Sequence, residues 1–430
     1  MELAAGNVLA LTIFAAVYGL IIVRNVKGVN LPVWAIMCSG ALTVLLLQLV
    51  PVQQAYSAIN FHVIFFLLGM FAIVSGLEVS GLLKYVTLKV LQYAKTPDRV
   101  LMFILMVLGA MSAFLINDTI ALVATPIVIG FAHQMRVMPR TLLITLAFAV
   151  TIGSMMTPIG NPQNLLIALQ SGIANPFLEF LKYLALPAFA NLFITYYLVR
   201  WYYRKELSGA TVPIIHVTKT VIADMRLAKL SAIASILVVT GFFIVGILEL
   251  TGFAFGITFS HVALLGGMAL IAISGKPRQI IKSMNWTIIL FFIAMFVFME
   301  AIWDSGVSSL FNYILPALAH SSSPLTLINI ILASVGASQL LSNVPFVALY
   351  WKVMQGIGFT GIDTKAWMSL AGGSTLAGNL TILGAASNVI ILQAAEERKH
   401  TFTFIEFLKI GAIVTPVNMV VLMLFLILLP

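Results

Sequence analysis

Long apolar runs recur along the whole chain, and their length restricts its fold more than any other feature. The first runs from residue 3 to 23 and the last from 404 to 429. Each is long enough for a helix to cross a bilayer at ~1.5 Å per residue. Backbone groups in lipid must be paired within a helix or a closed barrel. Because these runs lack the two-residue alternation of strands, we predict transmembrane helices.

Composition supports a lipid-embedded chain. Hydrophobic residues make up 61% of the sequence and charged residues only 9%, with a mean hydropathy of +1.09. Soluble domains carry about 25% charged residues, and surface-to-volume scaling limits how much apolar area they can bury. The net charge of +9 does not indicate nucleic-acid binding, because the basic residues lie in short loops between apolar runs. Cys38 is the only cysteine, which excludes an intramolecular disulfide.

Ten apolar segments are predicted to cross the membrane, and two further stretches are interrupted by polar residues. The crossings are 3–23, 31–50, 59–79, 141–170, 180–200, 228–248, 260–274, 285–303, 366–393 and 404–429. The interrupted stretches are 101–133, broken at Asn117-Asp118-Thr119, and 323–355, broken at Ser342-Asn343. With arms of about 16 residues, short for a full crossing, they are predicted to be re-entrant helical hairpins.

Charge counting tests this topology. If both hairpins enter and leave on one side, 20 of the 23 Lys and Arg residues lie on one face, leaving Lys182, Lys352 and Lys365 opposite. Single crossings in place of the hairpins would split them 10 to 13. Because cytoplasmic loops are basic, the first arrangement is favoured, with both termini on the non-cytoplasmic side. Two short full crossings would have the same parity, so that alternative stays open.

The two halves of the chain align at an offset of about 225 residues. Phe66, Met70, Phe71, Ser80 and Gly81 match Phe291, Met295, Phe296, Ser305 and Gly306; Ser112 and Asn117 match Ser338 and Asn343; and Thr151, Thr157, Gly160 and Asn164 match Thr375, Thr381, Gly384 and Asn388. A shared register indicates duplication. An odd number of crossings in each half requires the second to insert upside down.

We therefore predict an all-α polytopic membrane protein with two inverted-topology repeats. Each repeat has five transmembrane helices and a re-entrant hairpin, and broken helices form the substrate site, as in secondary transporters. The predicted boundaries are 1–205 for the first repeat, 206–227 for a cytoplasmic linker and 228–430 for the second repeat.

Two helices are predicted to open near their centres. In TPIGNPQN, residues 157–164, two prolines remove backbone donors inside an apolar run. The equivalent TILGAASN, residues 381–388, has no proline but keeps Thr381, Gly384 and Asn388. Opened turns free carbonyls for cations and N–H groups for polar atoms. The alternative for these polar residues is interhelical hydrogen bonding.

Three acidic residues illustrate different expectations. Asp118 is an intramembrane carboxylate and so a functional candidate, although it could instead cap the second arm of its hairpin. Desolvation would favour its protonated form, which suits a proton carrier, whereas a nearby cation would favour the carboxylate. Glu300 is a coupling carboxylate or, as we favour, lies at the outer interface beside Asp304. Glu78 lies near a helix end, where we expect water.

The stretches INDTIALVATPIVIGFA, TPIGNPQNLLIAL and GNLTILGAASNVIIL resemble the ion transporter superfamily. The chain is most similar there to the ArsB/NhaD-type permeases, which include arsenite pumps and sodium–proton antiporters, and it is distantly similar to the carboxylate transporters. The resemblance implies a scaffold domain and a transport domain, with substrate and coupling ion between hairpin tips and broken helices. The implied site residues are Asn117, Asp118, Thr119, Thr157, Gly160, Asn161, Asn164, Ser342, Asn343, Thr381, Gly384 and Asn388.

The tips depart from the Ser-Asn-Thr pattern of the carboxylate transporters. They read Asn-Asp-Thr and Ser-Asn-Val, with Val344 where the first tip has Asp118. A negative Asp118 would repel a dicarboxylate but is compatible with As(OH)3, a cation or a proton step. A three-thiolate arsenic site is excluded by the single cysteine.

The favoured function is proton-coupled efflux of arsenite or antimonite across the inner membrane, which would confer arsenical resistance. The alternatives are sodium-coupled transport of a dicarboxylate, sulfate or similar anion, and sodium–proton antiport. An enzyme is not expected, because HExxH, GxSxG and paired membrane acids are absent. We expect no cofactor or resident metal. Analogy suggests a homodimer, and an ATPase partner stays open although the sequence contains no Walker A motif.

Overall fold

The computed structural model describes residues 5–23, 25–26, 29–210, 212, 218–251, 256–306 and 323–430. Arg24, Lys27, the start of segment 3–23 and the centre of the linker, including Pro213, lie outside this range. Within it, the regular structure is helical apart from one short antiparallel pair, Asn25–Val26 with Val29–Asn30.

The helices of the first half begin with α1 and end with the short α11. They are α1 (Ala5–Val23), α2 (Val33–Leu46), α3 (Val52–Ala58), α4 (Phe61–Val79), α5 (Leu82–Leu91), α6 (Pro97–Leu115), α7 (Asn117–Met135), α8 (Pro139–Ser154), α9 (Pro162–Gln170), α10 (Pro176–Tyr202) and α11 (Arg204–Leu207). Single π-helical turns interrupt α6 at Ile104–Leu108 and α10 at Leu181–Ala185.

The second half has the same order of long helices. They are α12 (Met225–Leu250), α13 (Phe259–Ile273), α14 (Pro277–Ser283), α15 (Trp286–Asp304), α16 (Pro324–Leu341), α17 (Asn343–Ile357), α18 (Thr364–Ala377), α19 (Ala386–Glu396) and α20 (Phe404–Leu428). Short 3-10 turns lie at Lys219–Val221 and Ile382–Gly384. In the described ranges, eight helices are long and apolar enough to span a membrane, namely α4, α6, α7, α10, α12, α15, α16 and α20. The chain is therefore a multi-pass helical membrane protein.

Local geometry repeats between the halves. The hairpin α6–α7 turns at Ile116, with φ of 62°, and the hairpin α16–α17 turns at Ser342, with φ of 66°. Non-glycine residues seldom adopt this left-handed region, so its use at equivalent tips supports the duplication. Gly81 and Gly306, which follow α4 and α15, also share positive φ values of 79° and 73°.

Three of the four hairpin arms are longer than predicted. Instead of about 16 residues, α6 and α7 have 19 each and α16 has 18, whereas α17 has 15. The prediction began the first arm at residue 101, but Thr96 caps the helix and Pro97 starts it, so the polar residues before 101 belong to its first turn.

The tip of the first hairpin contacts the first broken helix. The backbone N–H of Asn117 at this tip donates to the carbonyl of Gly160 at 2.8 Å. Gly160 lies between α8 and α9, so the tip meets the opening between them, as a re-entrant hairpin is expected to do. Both arms then leave towards the same end of the bundle.

Polar contacts between loops tie the helix ends together. Arg140 at the start of α8 pairs with Glu206 of α11 at 3.0 Å and with Glu406 of α20, which links the two halves. Asp224 caps α12 and pairs with Lys276 at 2.6 Å. These contacts lie at the basic end of the bundle and hold the frame around the broken helices.

Candidate functional site

The first break separates α8, which ends at Ser154, from α9, which starts at Pro162. The side-chain amide of Asn164 donates to the carbonyls of Ser154 and Thr157, both at 3.2 Å. Asn161 caps α9 by accepting from the backbone N–H of Asn164 at 2.9 Å. Asn164 thus pairs carbonyls that a continuous helix would have satisfied.

The second break, between α18 and α19, uses the same device without a proline. The amide of Asn388 donates to the carbonyls of Gly378 at 2.7 Å and Thr381 at 3.4 Å. These two carbonyls stand 224 residues after those of Ser154 and Thr157. The repeated asparagine, rather than proline, is therefore the feature common to both openings.

The first hairpin tip meets its own break and the second half. Besides the backbone bond to Gly160, Asn117 donates from Nδ2 to the Ser387 hydroxyl at 3.4 Å. The hydroxyl of Thr157 donates to the carbonyl of Ala113. A Cβ on Gly160 would lie 2.1 Å from the Ser154 carbonyl oxygen, so the close approach of backbone segments requires glycine here.

Asp118 lies beside this tip in a buried position. The residue is 6% exposed, and in the described part of the chain no hydrogen bond or ion pair reaches its carboxylate. Asn117 Oδ1, rather than Asp118, accepts from a backbone N–H in the first turn of α7, so the capping alternative for Asp118 is not observed. The side chain instead lines a cavity, to which Thr119 also contributes.

That cavity, here called the acidic cavity, has a volume of about 460 Å³. It is lined by the carboxylates of Glu78 from α4, Asp118 from α7 and Glu397, which follows α19, together with polar groups of Ser75, Asn285 and Gln393. Ser283 and Glu397, which line it, are exposed and adjoin the basic loop residues Lys282 and Arg398 in sequence, whereas Asp118 is buried. The cavity therefore extends from the basic end of the bundle to Asp118, and Glu78 lines it rather than facing open water alone.

The second hairpin tip is joined to its break through a side chain that sequence reasoning missed. Gln339 on α16 donates from Nε2 to the Ala377 carbonyl at 2.9 Å and accepts from the Thr381 hydroxyl at 2.7 Å. Ser342 supplies the turn and Asn343 starts α17. A polar residue near the end of an apolar hairpin arm was the available signal for Gln339.

Thr375 joins the two broken helices where they cross. Its hydroxyl accepts from Asn161 Nδ2 at 3.1 Å and donates to Asn164 Oδ1 at 3.2 Å. The equivalent contact in the other half, between Thr151 and Asn388, is missing: among the described residues neither Thr151 Oγ1 nor Asn388 Oδ1 has a partner. The two clusters therefore differ in hydrogen bonding although they repeat in sequence.

Several other buried oxygens near the second break are also unpaired within the ranges that the structure describes. They are Ser338 Oγ, Asn343 Oδ1 and Asn379 Oδ1. Buried polar atoms are almost always paired, so such a group is suited to hydroxyl donors of a solute or to a hard cation, which prefers oxygen ligands. A Cβ on Gly384 would lie 3.0 Å from the Ala377 carbonyl oxygen, so glycine at this position keeps the cluster compact.

The structure thus groups the predicted residues into two clusters. Asn117, Asp118, Thr119, Thr157, Gly160, Asn161 and Asn164 surround the first break, and Ser342, Asn343, Thr381, Gly384 and Asn388 surround the second. Their role in binding remains a prediction. Thr375, Ser387, Gln339 and Glu78 were not predicted as site residues. Thr375 carried a signal through the repeat, and Gln339 carried one as a polar residue in an apolar arm. Within the described ranges, no three His, Cys, Asp or Glu side chains are arranged to hold a metal.

Comparison with known proteins agrees with this architecture. The sequence profile of the citrate transporter family matches residues 18–372, which include both hairpin tips and the first break. The chain belongs to the citrate transporter family. An uncharacterised transporter of Mycobacterium tuberculosis is 28% identical over 96% of both chains. The silicon efflux transporter LSI3 of Oryza sativa subsp. japonica is 24% identical over 83% of this chain and 84% of its own.

The fold also has a counterpart among solved structures. The YdaH transporter of Alcanivorax borkumensis superposes with a TM-score of 0.54, over 98% of both chains, at 15% identity. This member of the citrate transporter family is therefore a secondary transporter, not an enzyme. The predicted membership of the superfamily is confirmed at this level, and the narrower likeness to arsenite permeases stays a prediction.

Proposed function

We propose that the protein exports a small uncharged oxyacid in exchange for protons, with arsenite and antimonite as the first cargoes to test. The observation that carries the proposal is the buried Asp118 carboxylate, which faces a solvent-connected cavity without a partner among the described residues. A carboxylate in that position is costly while charged. It can be neutralised by a proton that binds while the site faces the non-cytoplasmic side and is released when the site reopens to this cavity.

The clusters suit a hydroxylated neutral cargo. Amides and hydroxyls of Asn117, Thr157 and Ser387 lie around the first break, and unpaired oxygens lie around the second. Arsenous acid carries hydroxyl groups that both donate and accept, and no thiolate site is needed. The rice relative is a silicon efflux transporter. Silicic acid is likewise uncharged and hydroxylated, and it serves as a second test cargo.

The acidic cavity opens at the basic end of the bundle. Because basic loops face the cytoplasm, we place this cavity on the cytoplasmic side of the inner membrane, with both termini on the opposite side. A cytoplasmic opening at mid-depth is the arrangement that an exporter needs to load its cargo. A homodimer and an ATPase partner remain open, and neither is required by this proposal.

The proposal is tested in proteoliposomes with an imposed pH gradient. Arsenite flux that follows the proton gradient, needs no sodium and is lost in Asp118→Asn is the expected result. Asp98→Asn, which neutralises a carboxylate paired with Arg200 outside the site, is the matched control and should retain flux. Absence of arsenite, antimonite and silicic acid flux under every gradient would overturn the proposal.

A second candidate is sodium-coupled transport of a carboxylate anion such as citrate, with sulfate and dicarboxylates as further substrates. It is favoured by the family and by the unpaired oxygens of Thr151, Asn343 and Asn388, which could hold Na⁺. The same vesicles would then show citrate uptake that needs sodium and is lost in Asn343→Ala. Sodium-driven proton movement without cargo would instead indicate sodium–proton antiport.

A further inference from the structure

A second cavity mirrors the acidic cavity at the opposite end of the bundle. This ion-pair cavity has a volume of about 350 Å³ and contains Glu300 and Lys352. Residues at equivalent repeat positions line the two cavities, namely Phe71 and Phe296, Val74 and Met299, and Ser75 and Glu300. The two cavities are thus the pseudo-symmetric vestibules of one carrier.

The vestibules differ in charge. In the ion-pair cavity, Lys352 Nζ lies 2.6 Å from Glu300 Oε2 and 5.5 Å from the centre of the Trp303 ring. The described residues that line the acidic cavity include three carboxylates and no Lys, Arg or His. In the ion-pair cavity, Lys352 neutralises Glu300. In the acidic cavity, no described lining residue neutralises the carboxylates.

Glu78 is the residue that gives the acidic cavity its fixed charge near the path to Asp118. Glu397 lies at the mouth, is 75% exposed at its side chain and has Arg398 at 3.6 Å, so water and a cation screen it. Glu78 is half-buried, and no ion pair reaches it from the described residues. Asp118, deeply buried and unpartnered at the inner end, shows that the cavity leads to a group that needs a proton, a cation or a polar ligand.

We infer that Glu78 determines the charge selectivity of this vestibule, so that cations and neutral solutes reach Asp118 and free anions are repelled. Apolar walls focus the field of a fixed charge into a narrow cleft, and Phe71, Val74 and Leu122 supply such walls here. The inference rests on the proposed function only in treating this cavity as the cargo's path.

Two basic side chains lie on the other side of Glu78. Lys84 and Arg398 line an adjoining cavity of about 660 Å³ that shares Glu78 and Leu122 with the acidic cavity. They would offset part of the Glu78 charge on that side. Neutralising Lys84 should therefore change the selectivity in the direction opposite to neutralising Glu78.

The test uses charged thiol reagents and needs no transport. In a Cys38→Ser background, which removes the single native cysteine, Thr119→Cys places a reporter inside the acidic cavity. Labelling rates are measured in proteoliposomes with a cationic and an anionic methanethiosulfonate. Glu78→Gln should lower the ratio of the cationic to the anionic labelling rate about five-fold. Coulomb's law gives this factor for two reagents that differ by two unit charges and react ~8 Å from the carboxylate in water. Lys84→Gln should raise the ratio.

Controls separate this effect from general surface charge and from misfolding. Glu396→Gln neutralises a residue of α19 that does not line the cavity and should leave the ratio unchanged. A reporter at Ser57→Cys in the ion-pair cavity should not respond to Glu78→Gln. If Thr119→Cys does not fold, Gln393→Cys serves as the reporter.

An unchanged ratio in Glu78→Gln at the cavity reporter would overturn the inference, even if arsenite export were demonstrated. A reduced ratio would support it, even if arsenite proved not to be the cargo. The two proposals therefore fail separately.

Discussion

Replacing the two asparagines that hold the helix breaks should destabilise the protein unequally. The two amide hydrogens of Asn164 serve the carbonyls of Ser154 and Thr157 at 3.2 Å, with that of Met155 at 3.4 Å, and its oxygen accepts from Thr375. The two amide hydrogens of Asn388 serve two carbonyls. Alanine at either position removes these hydrogen bonds, although Asn161 Nδ2 still donates to the Ser154 carbonyl at 3.4 Å and to the Thr375 hydroxyl at 3.1 Å. Asn388 Oδ1 has no partner among the described residues, so removing this oxygen adds nothing to the loss of stability.

The magnitudes follow from counting these bonds. A buried hydrogen bond contributes about 1 kcal/mol in proteins generally and ~0.6 kcal/mol on average in a membrane helix bundle. Asn164→Ala should therefore lower the free energy of unfolding by about 2–3 kcal/mol, and Asn388→Ala by about 1–2 kcal/mol. The difference of about 1 kcal/mol comes from the Thr375 hydroxyl.

The assay is reversible unfolding in detergent micelles, followed by circular dichroism. A double-mutant cycle with Thr375→Val isolates the crossing contact: in that background the two alanine variants should become equally stable. Thr151→Val is the matched control and should cost little, because Thr151 Oγ1 has no partner in the described structure. Equal losses for Asn164→Ala and Asn388→Ala in the unmodified background would refute the reasoning.

Three further changes have defined outcomes. Lys352→Met leaves Glu300 unpaired and should lower the free energy of unfolding by about 1–3 kcal/mol, with most of the loss recovered by adding Glu300→Gln; detergent melts that show the double variant no more stable than the single one would contradict this. The Lys276 ammonium and a backbone N–H lower the pKa of Asp224 from its ordinary 3.8, so its stabilisation is present above pH 3.8 and lost as the pH falls through the lowered pKa. Asp224→Asn should therefore melt below wild type at pH 7, by at most ~1 kcal/mol, and equally at pH 2. Gly160→Ala forces a Cβ against a carbonyl oxygen and should abolish transport in proteoliposomes; retained flux would show that the break tolerates displacement.

The features that the sequence predicted well are those marked by unusual residues in apolar runs. Asn117 and Asn343 marked the hairpin tips, and Pro158 and Pro162 marked the first break. The second break lacked proline and was found only because Asn388 aligned with Asn164. Polar groups in lipid must be paired or functional. For this reason, a few polar residues and prolines in apolar runs were enough to predict the hairpin tips and the broken helices.

Contacts between distant segments were not predictable in the same way. Gln339 reaches the second break, and Thr375 links the two breaks, through side-chain geometry that spacing alone does not reveal. Glu78 sits near a helix end, where a carboxylate in water is ordinary, and only its position in space beside Asp118 of α7 and Gln393 of α19 makes it line a cavity. The first arm of the first hairpin was set too short because polar residues in its first turn were assigned to the loop.

The central claim is that Asp118 couples proton movement to export of an uncharged oxyacid. The most direct measurement is arsenite flux in proteoliposomes under an imposed pH gradient, without sodium, for wild type, Asp118→Asn and Asp98→Asn. The account predicts proton-driven flux in wild type and Asp98→Asn and none in Asp118→Asn. Flux that is equal in wild type and Asp118→Asn would contradict it.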